Sequence, residues 1–250
     1  MNTYRYYSDL HGLTPGFQKD SDSEEICIVA GDVANFGNKG KVIIEILSAL
    51  CMRFKEVIFV PGNHEYYGTK LNVMESKVKE AMVHFGNFIL LQNADYIERD
   101  GVRIIGATMW SDTSEIQYEA STYMNDYRCI RYGTEEEPWK HKLTPVETTR
   151  IHKEHVRLIN EAIKSHKGAS IVITHHAPSY QSVSPEFEGS SINPAYVTDI
   201  ELDEWPYVWI HGHIHSRSDY YIYNCNVLCN PGGYAGESTG FGQTDNSFKL

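Results

Sequence analysis

The chain has 250 residues, enough to bury a sizeable core, and its 41% hydrophobic and 22% charged fractions are ordinary for a soluble globular protein. Its net charge of −11, with histidine counted neutral, argues against general duplex-DNA binding, whose affinity comes from neutralising phosphates with Lys and Arg. No run of about 18 apolar residues occurs, so the sequence holds no candidate membrane-spanning helix.

Taken in order, residues 4–8 read as a first strand that ends in Ser8-Asp9-Leu10-His11-Gly12. After a polar loop, the β-branched run from Ile26 to Ala30 reads as a buried strand ending in Gly31-Asp32. Residues 40–54 carry a helical apolar stripe of Val42, Ile43, Ile46, Leu47, Leu50 and Cys51. The strand Val57-Ile58-Phe59-Val60 is broken by Pro61-Gly62 and followed by Asn63-His64-Glu65. Residues 69–84 suit a second helix and 88–91 a strand. Asp100-Gly101, between the runs beginning at Tyr96 and Val102, is a hairpin signal. Residues 111–143 show no sustained period and read as an excursion over the site, a lid or specificity loop.

Thr144-Pro145-Val146-Glu147 announces a helix to about Lys167, with Thr as N-cap, Pro at the first position and Glu completing the capping box. The strand 170–174 then ends in His175-His176. A polar loop over 178–197 and a short helix or turn near 198–205 lead to the strand Tyr207–Ile210, which runs into His211-Gly212-His213-Ile214-His215. A terminal hairpin, 220–223 with 227–229, closes the order, and Asn230-Pro231-Gly232-Gly233 loops back. The absence of repeats or linkers favours one domain over 1–250. The five cysteines form neither a zinc-ribbon nor a disulfide framework, and Cys27 reads as a small buried hydrophobe. The chain start lacks the apolar core of a secretory signal, so a reducing, cytoplasmic setting is expected.

Potential ligands recur at the C-terminal ends of the predicted strands: Asp9 and His11, Asp32, Asn63 and His64, His175, and His213 with His215. In open α/β sheets, loops gather and ligands bind at that edge. Singly, the Asp and Asn residues pass as turn formers and the histidines as core residues. Together they read as a metal site. A mixed carboxylate, imidazole and amide donor set suits Mn, Fe, Zn or Co rather than copper or calcium.

In order, Asp9-x-His11, Gly31-Asp32, Gly62-Asn63-His64-Glu65, His175 and Gly212-His213-x-His215 resemble the signature of calcineurin-like metallophosphoesterases. The resemblance implies an α/β fold in four layers, an αββα sandwich of two mixed β-sheets flanked by helices. It also implies two metal ions at the sandwich edge, with manganese foremost and Fe, Zn, Co or Ni as alternatives. Asp9, His11 and His215 would hold one ion, Asn63, His175 and His213 the other, and Asp32 would bridge them. Two cations roughly 3.5–4 Å apart can lower the pKa of a bridging water and clamp phosphoryl oxygens. His64 would face the substrate, stabilising the transition state or protonating the departing alkoxide.

Gly31-Asp32-Val33-Ala34-Asn35 lacks the Asp-Arg-Gly of phosphoprotein Ser/Thr phosphatases, whose arginine grips a phosphate dianion. The resemblance therefore points toward a phosphodiesterase on small or nucleotide-like substrates. A phosphomonoesterase or nucleotidase, a nuclease, and a non-catalytic protein-binding scaffold are the alternatives, in falling order. Arg128, Arg217 and Tyr127 are candidate substrate contacts, and Tyr66, Tyr67 and Trp110 candidate stacking surfaces, with core packing preferred for Trp110. His176 is placed behind the ligands, His211 is divided between lining the site and a structural role, and His84, His141, His152 and His155 are expected in solvated positions.

Overall fold

The computed structural model describes residues 1–15, 25–37, 40–133, 137, 140–241 and 246–250. Its elements, in chain order, begin with strands β1 (Thr3–Tyr7) and β2 (Ile26–Ala30), helix α1 (Lys41–Cys51), β3 (Glu56–Val60), helix α2 (Leu71–Ala81) and β4 (Phe88–Leu90). The hairpin β5 (Asp95–Arg99) and β6 (Val102–Ala107) follows, then α3 (Gln117–Tyr123), α4 (Asp126–Cys129) and the short pair β7 (Arg131–Tyr132) and β8 (His141–Lys142). The long helix α5 (Pro145–Lys164) leads to β9 (Ser170–Thr174), β10 (Val208–His211), β11 (Ser218–Ile222), β12 (Cys225–Cys229) and β13 (Ser247–Lys249).

Two mixed sheets result. One has the order β13-β1-β2-β3-β4, the other β11-β12-β10-β9-β6-β5. In the first, β13 alone runs antiparallel; in the second, the antiparallel strands β11 and β5 occupy the two edges. Strand alternation sorts the side chains into layers. Ile26, Ile28 and Ala30 of β2 pack with Ile104, Ile171, Ile173 and Ile210 between the sheets. Cys27 and Val29 face the other way, onto Ile43, Leu47 and Leu50 of α1 and Met74 and Val78 of α2. On the far side, Ile105, Val172 and Trp209 meet Ile159, Ala162 and Ile163 of α5. The order is helix, sheet, sheet, helix, the αββα sandwich expected from the resemblance. Strands buried on both faces read as unbroken apolar runs, which is why β2, β3 and β9 stand out in the sequence.

Local signals act as expected at two places. Asp100 and Gly101 both have positive φ, 51° and 81°, as a two-residue hairpin turn of the primed type requires. Thr144 and Glu147 form the reciprocal capping box with Pro145 at the start of α5.

The chain departs from expectation elsewhere. No helix forms at 198–205; one-turn 3₁₀ helices lie earlier, at Tyr180–Ser182, Pro185–Phe187 and Asn193–Ala195. The segment 111–143 contains α3, α4 and the β7–β8 pair, although 134–136 and 138–139 lie outside the described residues. His152 and His155 are not solvated: each is 4% exposed, on the inner stripe of α5 with Thr148, Ile159 and Ala162. His152 Nδ1 lies 3.2 Å from the Trp110 carbonyl and His155 Nε2 3.3 Å from Asn93 Oδ1. Among the described residues, no helix is long and apolar enough to cross a membrane.

Candidate metal centre

The parallel strands of both sheets deliver their C-terminal ends to one edge of the sandwich. Asp9 and His11 follow β1, Asp32 follows β2, Asn63 and His64 follow β3, His175 follows β9, and His213 and His215 follow β10. Backbone bonds stitch these loops together: Asp9 N–H donates to the Gly31 carbonyl at 2.9 Å, His11 N–H to Asp32 O at 3.0 Å, and Gly212 N–H to His175 O at 2.9 Å. A Cβ on Gly212 would stand 2.7 Å from the Ala30 carbonyl and 2.8 Å from Asp9 Oδ2, so only glycine lets the two sheets approach here. Asp9, His11, Asp32 and His213 all adopt left-handed backbone, with φ of 50°, 43°, 55° and 65°. Such conformations are uncommon for non-glycine residues and gather where surrounding structure forces side chains onto one point.

The side chains fall into groups whose donor atoms lie within 4.8 Å of one another: Asp9, His11 and His215; His11, Asp32 and His64; and Asp32, His175 and His213. Asp32 is common to the last two. Its Oδ1 is 3.3 Å from His175 Nε2, and its Oδ2 is 4.0 Å from His11 Nε2 and 3.8 Å from His64 Nε2. Asn63 Oδ1 joins the third group, 2.9 Å from His175 Nε2. His11 Nε2 and His215 Nε2 stand 3.0 Å apart.

This arrangement fits a cation on its own geometry. Asp9 Oδ2 and His213 Nε2 are buried and have no hydrogen-bond partner, a cost that native structures rarely carry without an ion or water. His175 Nδ1 donates to the Ala30 carbonyl at 2.9 Å, which turns the Nε2 lone pair toward the acceptor oxygens of Asn63 and Asp32. Without a metal the conflict is met by protonation. Burial alone would lower the His175 pKa, but the Asp32 carboxylate outweighs it and pushes the group up to about 10. A divalent ion satisfies the same three lone pairs. Burial keeps two of the other imidazoles neutral: His11 falls to about 4, and His213 well below its usual value. For Asp32, burial is overcome by the imidazoles of His175, His64 and His11, which hold the carboxyl well below the usual range.

A second tier orients these groups. Glu65 accepts from the backbone N–H of Gly62, Asp32 and Ala34 at 2.6, 2.8 and 3.2 Å, tying together the loops after β2 and β3. His215 Nδ1 donates to Glu237 Oε2 at 2.7 Å, the carboxylate–histidine pairing that fixes which nitrogen faces a metal. His176 lies behind the ligands, its ring 4.2 Å from that of His213 and its Nδ1 3.3 Å from the Thr108 carbonyl.

The structure brings the seven ligand candidates and His64 together, and gives each of the three substrate candidates a hydrogen-bond partner outside that group. Tyr127 is buried with its hydroxyl 3.0 Å from Thr148 Oγ1, packed in the core under α1 and α2. Arg128 is exposed and donates to the Thr122 carbonyl. Arg217 Nη1 reaches Asn230 Oδ1 at 3.5 Å. His211 serves the core, bonded to Ser182 Oγ at 2.9 Å. Trp110 is buried and Tyr66 is wholly enclosed, whereas Tyr67 stacks on His64 at 4.3 Å.

Sequence reasoning did not single out Asn35, Asp126, Tyr234 or Glu237. Asn35 Oδ1 is 2.7 Å from His64 Nδ1, and Tyr234 Oη is 3.2 Å from His64 Nε2. Asn35, Tyr234 and Glu237 lie in loops or turns and Asp126 opens the single-turn helix α4, all without periodicity, and only spatial proximity exposes them.

Comparison with known proteins agrees with this geometry. An uncharacterized protein of Acanthamoeba polyphaga mimivirus is 29% identical over 274 aligned positions, covering 96% of this chain and 94% of its own. An uncharacterized protein of Methanocaldococcus jannaschii is 38% identical over 81 positions, 29% of this chain and 36% of its own. Among solved structures, a phosphopantetheinyl hydrolase from Mycobacterium tuberculosis has the same fold, with a TM-score of 0.67 at 18% identity over 93% of this chain and 90% of that one. The sequence profile of the calcineurin-like phosphoesterases matches residues 6–217, a stretch that takes in every ligand candidate from Asp9 to His215, and the chain belongs to that family.

Proposed function

We propose that this protein is a phosphodiesterase acting on small or nucleotide-like phosphate diesters with two metal ions, manganese foremost, held by Asp9, His11 and His215 on one side and Asn63, His175 and His213 on the other, with Asp32 between. The observation that carries the reading is a pair of buried polar atoms with no hydrogen-bond partner, Asp9 Oδ2 and His213 Nε2, beside a junction where His175 Nε2 faces the acceptor oxygens of Asn63 and Asp32. When bound, two divalent ions supply an activated water and neutralise phosphoryl charge. The chain itself orients the donors, keeps the His11 and His213 imidazoles neutral by burial and places His64 beside them as a proton donor to the departing oxygen. The five thiols are free, in keeping with a reducing, cytoplasmic setting.

Support for a diester over a monoester comes from what surrounds His64. Its neighbours are the amide of Asn35 and the hydroxyl-bearing rings of Tyr67 and Tyr234, and a carboxylate, Glu237, stands on His215. Neutral hydroxyls and an amide suit a singly charged diester better than a dianion, whose best partner is a forked guanidinium. The test is a paired assay of chelator-stripped protein with bis(p-nitrophenyl) phosphate and p-nitrophenyl phosphate, re-supplied separately with Mn, Co, Ni, Zn or Mg. Metal-restored turnover favouring the diester is expected. Preference for the monoester moves the assignment to a phosphatase or nucleotidase, and no turnover with two ions bound favours the scaffold.

The protonation of His175 sets a second expectation. Its folded pKa of about 10 lies above the unfolded value, so in metal-free protein the charged form contributes stability that is present below about pH 6.5 and fades as pH rises toward 10. Metal binding must expel that proton, so apparent affinity should rise about tenfold per pH unit through the neutral range. Calorimetric titration in buffers of different ionisation enthalpy should count one proton released. Affinity independent of pH would remove His175 from the ligand set.

A further inference from the structure

The segment between β6 and α5 supplies one fully enclosed carboxylate, Asp126 at the start of α4, 3% exposed. Its partner is Asn63, at 2.7 Å. An asparagine that serves as a metal ligand must present Oδ1, because the amide nitrogen has no lone pair to give. At Asn63 that choice is made on the far side of the amide. Nδ2 donates to Asp126 Oδ1 at 2.7 Å and to Tyr67 Oη at 3.3 Å, and the Tyr67 hydroxyl donates to the same Asp126 oxygen at 3.1 Å. Turning the amide by half a revolution would press Oδ1 against a carboxylate oxygen and aim the NH₂ group at the metal position. Both faces of the rotated amide would be mispaired in a buried site, where each mispaired group is costly.

We infer that Asp126 is a positioning residue of the metal centre: with Tyr67 it locks the Asn63 amide with its oxygen toward the ion, so that the segment 111–143 supports the centre from behind. The inference rests on Asn63 being a ligand, as proposed above. Carboxylates that orient ligands in this way typically matter by about ten- to a hundred-fold in metal affinity.

The experiment is a calorimetric titration of full-length, chelator-stripped protein with Mn(II) alone, with metal content measured after desalting. Wild type is expected to take two ions. Asp126→Leu should weaken one of them about ten- to a hundred-fold and leave the other nearly unchanged, while Asp126→Asn, which keeps an oxygen in the same place, restores most of the loss. The decisive comparison uses an Asn63→Asp background. A carboxylate offers oxygen on both faces and needs no orientation, and Asp126 then only repels it. There Asp126→Leu should strengthen metal binding. Equal losses in the two backgrounds would mean that Asp126 only packs, and would overturn the inference. If Asp126→Leu does not fold, Tyr67→Phe removes the hydroxyl without opening a cavity; it should weaken the same ion severalfold in wild type and not in Asn63→Asp, and an identical effect in both overturns the proposal equally. Wild type that takes up no ion would instead overturn the metal-centre reading itself, a result distinct from wild type with two ions and an indifferent Asp126→Leu.

Discussion

Replacing His64 with alanine is expected to lower turnover of an alkyl phosphodiester about a hundred- to ten-thousand-fold while leaving metal content unchanged. His64 stands beside the ligand groups without being enclosed by them. Its side chain is 15% exposed, against 0% for His175 and Asp9. Its ring is held from three sides: stacked on Tyr67 at 4.3 Å, edge-on to His11 at 4.8 Å, and bonded through Nδ1 to Asn35 Oδ1 at 2.7 Å. With Nδ1–H committed to Asn35, Nε2 is the atom that meets the reacting group, and Tyr234 Oη lies 3.2 Å from it. Breaking the ester bond leaves the electron pair on the departing oxygen, and an alkoxide leaves slowly unless it receives a proton. A p-nitrophenolate needs none. The loss in His64→Ala should therefore be large with a methyl or nucleoside leaving group and small with p-nitrophenol. The same loss with both would assign His64 to charge stabilisation alone and remove the acid role.

How much of this was legible in the sequence follows from the range over which each signal acts. The strands β2, β3 and β9 are runs of β-branched residues closed by a polar ligand, so strand and ligand announce each other within six or seven residues. The order of layers did not lie in periodicity; it came through the resemblance, and strand alternation such as Ile28 inward and Val29 outward explains it only once partners are known. β13 escaped because three residues carry no period and its pairing with β1 spans nearly the whole chain.

His152 and His155 were misplaced for a different reason. Thr148, His152, His155, Ile159 and Ala162 follow helical spacing, but two imidazoles and a hydroxyl hid the stripe from a reading based on apolar residues. Position, not polarity, was the better guide. Asp126 and Glu237 show the limit. Each is one carboxylate in an aperiodic stretch, distant in sequence from the side chain it orients, so only coordinates reveal that Asn63 and His215 depend on them.

Asp32→Asn is expected to have a larger effect on metal binding than any other single substitution, because it acts on both ions together. Asp32 places Oδ1 beside His175 and Oδ2 toward His11 and His64, so one charge serves both groups of donors. A unit charge about 4 Å from another is worth about 4 kcal/mol at an effective dielectric of 20, about a thousand-fold in affinity, before the double charge of the ion is counted. The amide retains the size of the side chain, and its Oδ1 can still accept the His64 N–H that Asp32 Oδ1 accepts at 2.9 Å, so the loop after β3 keeps its anchor. Loss of the carboxylate also removes the main cause of the raised His175 pKa. In Asp32→Asn, then, His175 should titrate lower, and the tenfold-per-unit dependence of metal affinity on pH should flatten in the neutral range. Metal content, calorimetry and the pH series read the three effects separately. Loss of one ion with the other retained at wild-type affinity would place Asp32 on a single metal and end its bridging role.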